Sequence, residues 1–252
     1  MPDQTYQNTG GSQTANYQSS STTTTFTYSS TGAPQSSTAA NYASSGTSSS
    51  TVTTSGGSIS SGIISTGGAD QDTLTGGTGA DTIVGNGGAD SLVGGVGDDR
   101  VSGGQGADTL VGGVGSDTLS GGADADRLQG GAGRDQFQFW SATTGTAQAQ
   151  LDRIVDWTGN DDFLRFGTGD ESGPSLGAGT AVNYREFTAA SYADALTQAN
   201  AQIAGGVVDY VAVRVGADVF VFADSQNNNG QADTAVVLAG KTLNDIGSGN
   251  FV

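Results

Sequence analysis

The chain contains 252 residues, including 43 glycines, and carries a formal net charge of −17 at pH 7. It has no histidine and no cysteine, which excludes histidine general bases, Ser-His and Cys-His nucleophile pairs, and thiolate zinc sites. Its 25 acidic and 8 basic side chains disfavour a nucleic-acid partner and favour hard cations, which take oxygen ligands. We therefore expect a cation-binding protein and not an enzyme.

Residues 1–66 form a segment with almost no charge, in which Asp3 is the single charged side chain. They consist mainly of Ser, Thr, Gly, Gln, Asn and Ala, a composition that buries too little apolar surface to offset its ordering entropy. One interpretation is a flexible low-complexity tail. The other is that the Thr-rich stretches 21–28 and 51–54 form strands that add to the exposed sheet edge of a neighbouring chain.

Residues 67–138 consist of eight consecutive nine-residue units without insertion or deletion. Position 6 of every unit is aspartate, and position 8 is always a large apolar residue, from Leu74 in the first unit to Phe137 in the eighth. A fixed register of this kind predicts a repeat architecture. The eight aspartates are the candidate metal ligands: Asp72, Asp81, Asp90, Asp99, Asp108, Asp117, Asp126 and Asp135.

Each unit is expected to contribute one strand and one turn. Positions 7 to 9 form the strand, and alternation sends the position-8 side chain to the opposite face from its two neighbours. Two facing units then make an 18-residue coil with an apolar interior, and further coils extend it. Positions 1 to 6 form a Gly-rich turn that directs carbonyl groups and the position-6 carboxylate toward one point, an oxygen cage that suits Ca²⁺ better than Mg²⁺.

These units resemble the GGxGxDxUx repeats of the RTX (repeats-in-toxin) calcium-binding family. The resemblance implies an all-β-dominated fold, a right-handed parallel β-roll of calcium-stacked coils. It also implies that each ion lies between turns two repeats apart, which gives on the order of six ions for eight repeats. A solvated acidic face is the alternative role for such aspartates, and the fixed register with an apolar partner argues against it.

Three units depart from glycine at turn positions: Asp70 and Asp124 at position 4, and Asn86 at position 2. Asp and Asn are the non-glycine residues that best tolerate the left-handed region, so we expect these turns to be preserved.

The charge of the repeats predicts that calcium is structural. Residues 67–138 contain 11 Asp and 3 Arg, a net charge of −8. Stacking the turns without cations would bring like charges together, so we predict an unfolded metal-free segment and a folded calcium-bound one. Extracellular calcium modules bind at roughly 10⁻⁴ to 10⁻³ M, which would leave the segment unfolded inside a cell and fold it outside.

Residues 139–252 have an ordinary globular composition and predict a small α+β cap. The segment 151–166 resembles a stretch that often follows RTX repeats and is expected to close the roll with Trp157, Phe163 and Phe166. Asp156 and Asp161 are expected in turns, with a further ion as the alternative. A helix is predicted from a capping box at 191–194 to Gly205, with Tyr192, Leu196, Ala199 and Ile203 on one face, followed by strands at 210–215, 219–222 and 235–238.

Two C-terminal features remain open. The loop 224–233 is similar to a calcium loop but has one residue too many, so a polar hairpin loop is favoured over a metal site. Residues 243–252 resemble the uncleaved C-terminal signals of type I secretion. The N-terminus lacks the basic and apolar regions of a secretory signal peptide, and no apolar stretch is long enough to span a bilayer.

These features together predict a secreted, calcium-binding structural protein of a Gram-negative cell surface or extracellular matrix, as a surface-layer, fibre or biofilm component. The expected partners are further copies of the chain, cell-surface polysaccharide and, in transit, the type I secretion machinery. The alternative is an extracellular binding module such as an adhesin or an ice-binding roll. Arg100 and Arg127 interrupt the outer Thr rows that ice binding would require, and Trp140 and Trp157 are expected in the core.

Overall fold

A computed structural model describes residues 64–140, 146–167, 184–204, 209–225 and 230–252 with their side chains. For 4–8, 15–19, 23–30, 40–44 and 49–55 it describes the backbone strands only. The chain forms two compact units. The first comprises 1–120 with 131–133, and the second comprises 121–130 with 134–252.

The repeats of the first unit form a parallel β-roll. Strands from alternate repeats pair in parallel with an offset of 18 residues, as in Leu110 opposite Leu92 and Val101 opposite Ile83. The strands of the repeats in this unit are six residues long, so each covers positions 7 to 9 of one repeat and 1 to 3 of the next, whereas the strand before them, Ile64–Thr66, has three residues. The predicted three-residue strand was too short, because the first three turn positions are also extended. The strands are β6 (Ile64–Thr66), β7 (Thr73–Thr78), β8 (Thr82–Gly87), β9 (Ser91–Val96), β10 (Arg100–Gln105), β11 (Thr109–Val114) and β12 (Thr118–Ala123).

Six strands precede the repeats and continue their two sheets, namely β6 and five earlier strands. In one sheet the order is β1-β3-β5-β7-β9-β11, and in the other β2-β4-β6-β8-β10. The stretches predicted as strands at 21–28 and 51–54 are indeed strands, but they pair within this chain. Val52 is opposite Leu74, and Phe26 is opposite Val52. The five earlier strands are β1 (Gln4–Asn8), β2 (Ala15–Ser19), β3 (Thr23–Ser30), β4 (Ala40–Ser44) and β5 (Ser49–Ser55).

The core of the roll is a double column of position-8 side chains. These residues are at most 1% exposed, because both sheets direct them inward. Burying one Leu or Ile stabilises the fold by roughly 1.5–3 kcal/mol. Each coil contains two such residues and adds their contribution to the stability. The column in the first unit contains Leu74, Ile83, Leu92, Val101, Leu110 and Leu119.

The second unit combines the last two repeats with an α+β segment. One sheet has the order β13-β15-β20-β19-β18-β17, and β14 pairs with β16. The three predicted strands at 210–215, 219–222 and 235–238 are confirmed to within one residue at each end. The strands are β13 (Arg127–Ala132), β14 (Gln136–Trp140), β15 (Asp152–Ile154), β16 (Phe163–Gly167), β17 (Tyr184–Ala189), β18 (Tyr210–Val215), β19 (Asp218–Ala223) and β20 (Thr234–Leu238).

Helix α1 (Tyr192–Ile203) covers one face of this sheet. The hydroxyl of Ser191 accepts the amide hydrogen of Asp194 at 3.2 Å, which confirms the predicted N-cap. The buried face contains Ala195 in addition to the predicted Ala199 and Ile203, whereas Tyr192 and Leu196 are partly buried beside it. The predicted end at Gly205 lies outside the described residues. Within the described ranges, no helix is long and apolar enough to cross a membrane.

Candidate calcium sites

The turns between strands depend on left-handed backbone at two positions. In the fourth repeat these are Gly95 with φ +121° and Gly97 with φ +137°, at positions 2 and 4. Asn86 and Asp124 replace glycine at such positions and have φ +76° and +77°, so the prediction that they tolerate this conformation is confirmed. Asp70 differs, because its φ is not positive. The turn of the first repeat therefore departs from the others, and the expectation for Asp70 was wrong.

The eight position-6 aspartates are buried, and each is at most 3% exposed. We call them a ladder, because aspartates two repeats apart are joined by hydrogen bonds. One carboxylate oxygen, Oδ1, accepts the backbone N–H of the aspartate two repeats earlier. Asp72 donates to Asp90 at 2.7 Å, and Asp81 donates to Asp99 at 2.8 Å. Asp90 and Asp99 in turn donate to Asp108 and Asp117 at 2.7 and 2.8 Å. This bond fixes the orientation of the carboxylate, so its second oxygen has a defined position.

The second oxygen, Oδ2, lies beside a glycine carbonyl. In Asp90 and Asp99 this atom is buried and accepts no hydrogen bond. A methyl group built on Gly85 would lie 2.5 Å from the carbonyl oxygen of Gly103, and closer still to Oδ2 of Asp90. The carboxylate of one repeat and the carbonyl two repeats later therefore converge on one point. The corresponding carboxylate and carbonyl oxygens come together in the same way around Gly67, Gly76 and Gly94.

This arrangement fits a hard divalent cation. Its donors are carboxylate and carbonyl oxygens, the ligands that Ca²⁺ prefers. Among the described residues no three acidic side chains gather at one point, so each site would combine one carboxylate with backbone carbonyls. The repeats would thus hold Ca²⁺ through position-6 aspartates and position-1 carbonyls, and the ion would supply positive charge to the ladder. Asp72 is an exception, because its Oδ2 accepts the N–H of Gly68 at 2.6 Å.

The buried carboxylates have perturbed acidities. Burial, with a further contribution from the neighbouring Asp72 carboxylate, raises the pKa of Asp90 to about 6. Burial also raises the pKa of Asp99 to about 7, with contributions from the charges of Asp81, Asp117 and Asp98. The backbone N–H donors act in the opposite direction and are outweighed. The ionised ladder is therefore unfavourable until a cation compensates its charge.

The ladder continues beyond the repeats through two aspartates that the sequence analysis did not single out. Asp152 accepts the N–H of Asp126 at 3.0 Å, and Asp162 accepts the N–H of Asp135 at 3.1 Å. Both are buried. Each is followed two residues later by a buried apolar residue, Ile154 or Leu164, as in the repeats. That Asp-x-apolar signature is the signal that could have found them.

The two aspartates predicted in this region have other surroundings. Asp156 accepts the N–H of Gly130 at 3.0 Å, whereas Asp161 is exposed in a turn. Trp157 and Phe166 are buried as predicted for a cap. Phe163 is only partly buried, since it occupies an outward position and lies under the guanidinium of Arg134, 4.8 Å from its ring centre. Its predicted role in the cap stays a prediction.

The polar loop after β19 is tied together by its own carboxylates. Asp224 accepts the N–H of Gly230 at 3.0 Å, and Asp233 accepts the N–H of Ser225 at 2.8 Å. Residues 226–229 lie outside the described residues, so the preference for a hairpin loop over a calcium loop stays a prediction. Trp140 and Trp157 are buried, as expected for core residues.

The model of the RTX calcium-binding nonapeptide repeat family, which spans four copies, matches residues 66–101 and again residues 102–137. Among solved structures, the chain is similar to the solution structure of the AlgE6R3 subunit from the Azotobacter vinelandii mannuronan C5-epimerase. The two share 22% identity over 73% of this chain and 78% of that chain, with a TM-score of 0.39. No curated protein matches the chain. The family matches cover the repeat segment to within one residue at each end.

Proposed function

Residues 66–137 belong to the RTX calcium-binding nonapeptide repeats, and from this premise we propose that the chain is a secreted structural protein of the bacterial cell surface or extracellular matrix. Its β-roll folds when Ca²⁺ binds outside the cell. The observation that carries the proposal is the buried aspartate ladder, in which one carboxylate oxygen is hydrogen-bonded and the other lies beside a glycine carbonyl. The proposed role requires no catalytic step.

The position-6 aspartates, from Asp72 to Asp135, are the proposed calcium ligands. Their burial makes an isolated charge costly, so the ion and the fold should form together. Low cytosolic calcium would keep the repeats unfolded for export, and extracellular calcium would fold them. The C-terminal residues 243–252 are the proposed signal for the type I secretion machinery.

Assembly with other copies, as in a surface layer, a fibre or a biofilm, is a further part of the proposal. It is supported by the single charge in residues 1–66, because an uncharged surface does not oppose close approach of a second copy. Strands β3 and β5 already pair within the chain, so contact between copies would use other surfaces. Cell-surface polysaccharide remains a proposed partner for anchoring such an assembly.

Sedimentation velocity of the full chain over a wide concentration range tests this role. We expect concentration-dependent association in millimolar calcium, and no comparable association in equal magnesium or in chelator. A chain that stays monomeric in calcium at the highest concentration would contradict assembly, while leaving calcium-dependent folding to be judged by circular dichroism in the same samples.

An extracellular binding module is the second candidate, and the strand register favours it more than the repeats alone do. The position-7 row of Thr73, Ser91 and Thr109 continues in register to Thr51 and then Thr25. Five Ser or Thr positions thus share one backbone register on adjacent strands about 4.8 Å apart, and such a regular sequence pattern is what binding to an ordered surface such as ice would require. Partitioning of the calcium-bound chain into slowly growing ice would test it, and exclusion from the ice would reject it.

A further inference from the structure

The last residues of the chain fold back onto the loop formed by residues 157–162. The indole N–H of Trp157 donates to the carbonyl oxygen of Asp245 at 2.8 Å. Gly159 lies directly below the same peptide, and a methyl group there would come within 2.7 Å of the Asp245 carbonyl carbon. The loop and the tail are therefore in close backbone contact, which only glycine permits at this position.

Asn250 is the central contact of this tail. Its side-chain amide donates to the carbonyl oxygens of Gly159 at 2.7 Å and Asp162 at 2.9 Å. Its own oxygen accepts the N–H of Gly247 at 2.9 Å. The side chain is buried, so these bonds are shielded from water. An aspartate at this position would lack both donors and would place a charge against two carbonyl oxygens.

Phe251 extends the contact into the core. It forms a parallel bridge with Leu164, and the N–H of Val252 donates to the Leu164 carbonyl at 3.1 Å. Its ring is 1% exposed and stacks on that of Tyr210, with ring centres 4.2 Å apart. The tail thus completes the sheet edge and the aromatic core of the second unit.

The loop that receives the tail is held by the eighth repeat. Asp135 donates its N–H to the carboxylate of Asp162 at 3.1 Å and accepts the N–H of Phe163 at 2.8 Å. The ring of Trp157 packs on that of Phe137, with centres 6.1 Å apart. A continuous set of contacts therefore runs from the position-6 aspartate of the last repeat, through the loop, to Asn250.

We propose that residues 242–252 form a calcium-controlled latch, docked on loop 157–162 when the eighth repeat is folded and released when it is not. Calcium bound by the last repeats holds Asp135 in place, and Asp135 in turn holds the loop. The loop then presents the carbonyl groups to which Asn250 donates. Without calcium the loop loses these anchors and the tail becomes accessible. This rests on the calcium-coupled folding proposed above and does not depend on assembly.

Limited trypsin digestion of the full chain, followed by mass spectrometry of the released peptide 242–252, measures the state of the latch. Lys241 immediately precedes the tail, so cleavage after it reports release. We expect slow release in calcium and release about tenfold or more faster in chelator, since cleavage tracks the population of the open form. Equal rates in calcium and chelator would overturn the latch.

The substitution Asn250→Asp tests the contact itself, with Asn244→Asp as its matched control. Asn244 is exposed in the same segment, so its substitution adds the same charge without touching the loop. In calcium we expect Asn250→Asp to release the peptide about tenfold faster than the unmodified chain, as for loss of buried hydrogen bonds, and Asn244→Asp to leave the rate unchanged. Equal release by both variants would overturn the proposal.

A second pair of variants keeps the test decisive if Asn250→Asp disturbs folding. Asp135→Asn removes the proposed calcium-binding carboxylate of the eighth repeat, whose backbone contacts the loop, whereas Asp81→Asn removes that of the second repeat. We expect only Asp135→Asn to accelerate release at calcium concentrations where circular dichroism shows both variants folded. Equal release by the two variants would mean that the tail does not sense the last repeat.

Discussion

The first unit contains two kinds of parallel coil, and they differ in the length of chain that each coil uses. Within the repeats, paired strands are offset by 18 residues, as from Leu92 to Leu110. Before the repeats the offset is 22 residues from Gln4 to Phe26 and 26 residues from Thr23 to Ser49. The longer coils occur where the sequence has no aspartate ladder and almost no charge.

The difference indicates what calcium contributes. The longer offsets leave more chain between paired strands, and residues 1–66 offer a single carboxylate, Asp3, as a possible cation ligand. An 18-residue coil uses short turns that force carbonyl and carboxylate oxygens together around one point, as at Gly85. We therefore propose that the short coil is stable only when a cation compensates the oxygen cluster.

We expect the largest loss of stability from adding a methyl group to a crowded glycine of a tight turn. Gly95 has φ +121°, and a methyl group there would overlap the carbonyl of Gly77 in the coil below. Gly95→Ala should lower the unfolding free energy in saturating calcium by on the order of 3 kcal/mol, as measured by urea denaturation. Gly216→Ala is the control, because Gly216 also has positive φ but no atom near its missing side chain, so a loss of about 1 kcal/mol is expected. Equal losses would show that close stacking is not the constraint.

Removing the charge of one ladder aspartate should make the repeats more similar to the coils that precede them, which have no aspartate ladder. Asp99→Asn keeps the acceptor for the N–H of Asp81 and removes the charge. We expect the calcium midpoint of folding to rise about tenfold, and the calcium-free chain to become easier to fold. Asp161→Asn removes an exposed charge from a turn outside the repeats and should change neither. An unchanged calcium midpoint for Asp99→Asn, measured by circular dichroism, would contradict this account.

Protonation of Asp90 and Asp99 should have the same effect as that substitution. Burial raises the pKa of Asp90 to about 6 and of Asp99 to about 7 in the folded chain, above the usual value of 3.8. A raised folded-state pKa means that protonation favours folding, so the stability of the calcium-free chain should increase as the pH falls from about 7 toward about 4. In calcium the same acidification should weaken ion binding, because protons compete for the carboxylates. A calcium-free chain that gains no β-signal as the pH falls from about 7 toward about 4 would contradict this prediction.

The regular part of the fold followed from short-range periodicity. One aspartate and one apolar residue per nine positions predicted the buried ladder and the inner column, and Leu92 and Asp99 lie where that spacing places them. The strands before the repeats could not be paired in advance, because their offsets vary. The pairing explains the repeated Asn-Tyr motif, because it places Asn16 opposite Asn41 and Tyr17 opposite Tyr42.

Other features depended on contacts distant in sequence. Asp152 and Asp162 occupy ladder positions 26 and 27 residues after their donors, so the 18-residue offset of the repeats does not place them. Asn250 contacts Gly159 across 91 residues, and no local pattern marks it as a ligand of that loop. Irregular spacing and long-range packing therefore account for what sequence periodicity could not predict.

The most direct test of the central claim is a calcium titration of the full chain followed by far-UV circular dichroism, with magnesium as the control. We expect a cooperative gain of the β-sheet circular dichroism signal in calcium at roughly 10⁻⁴ to 10⁻³ M and no comparable change in magnesium. A chain whose repeats are already folded in chelator, or fold equally well in magnesium, would contradict the conclusion that the aspartate ladder couples calcium binding to folding.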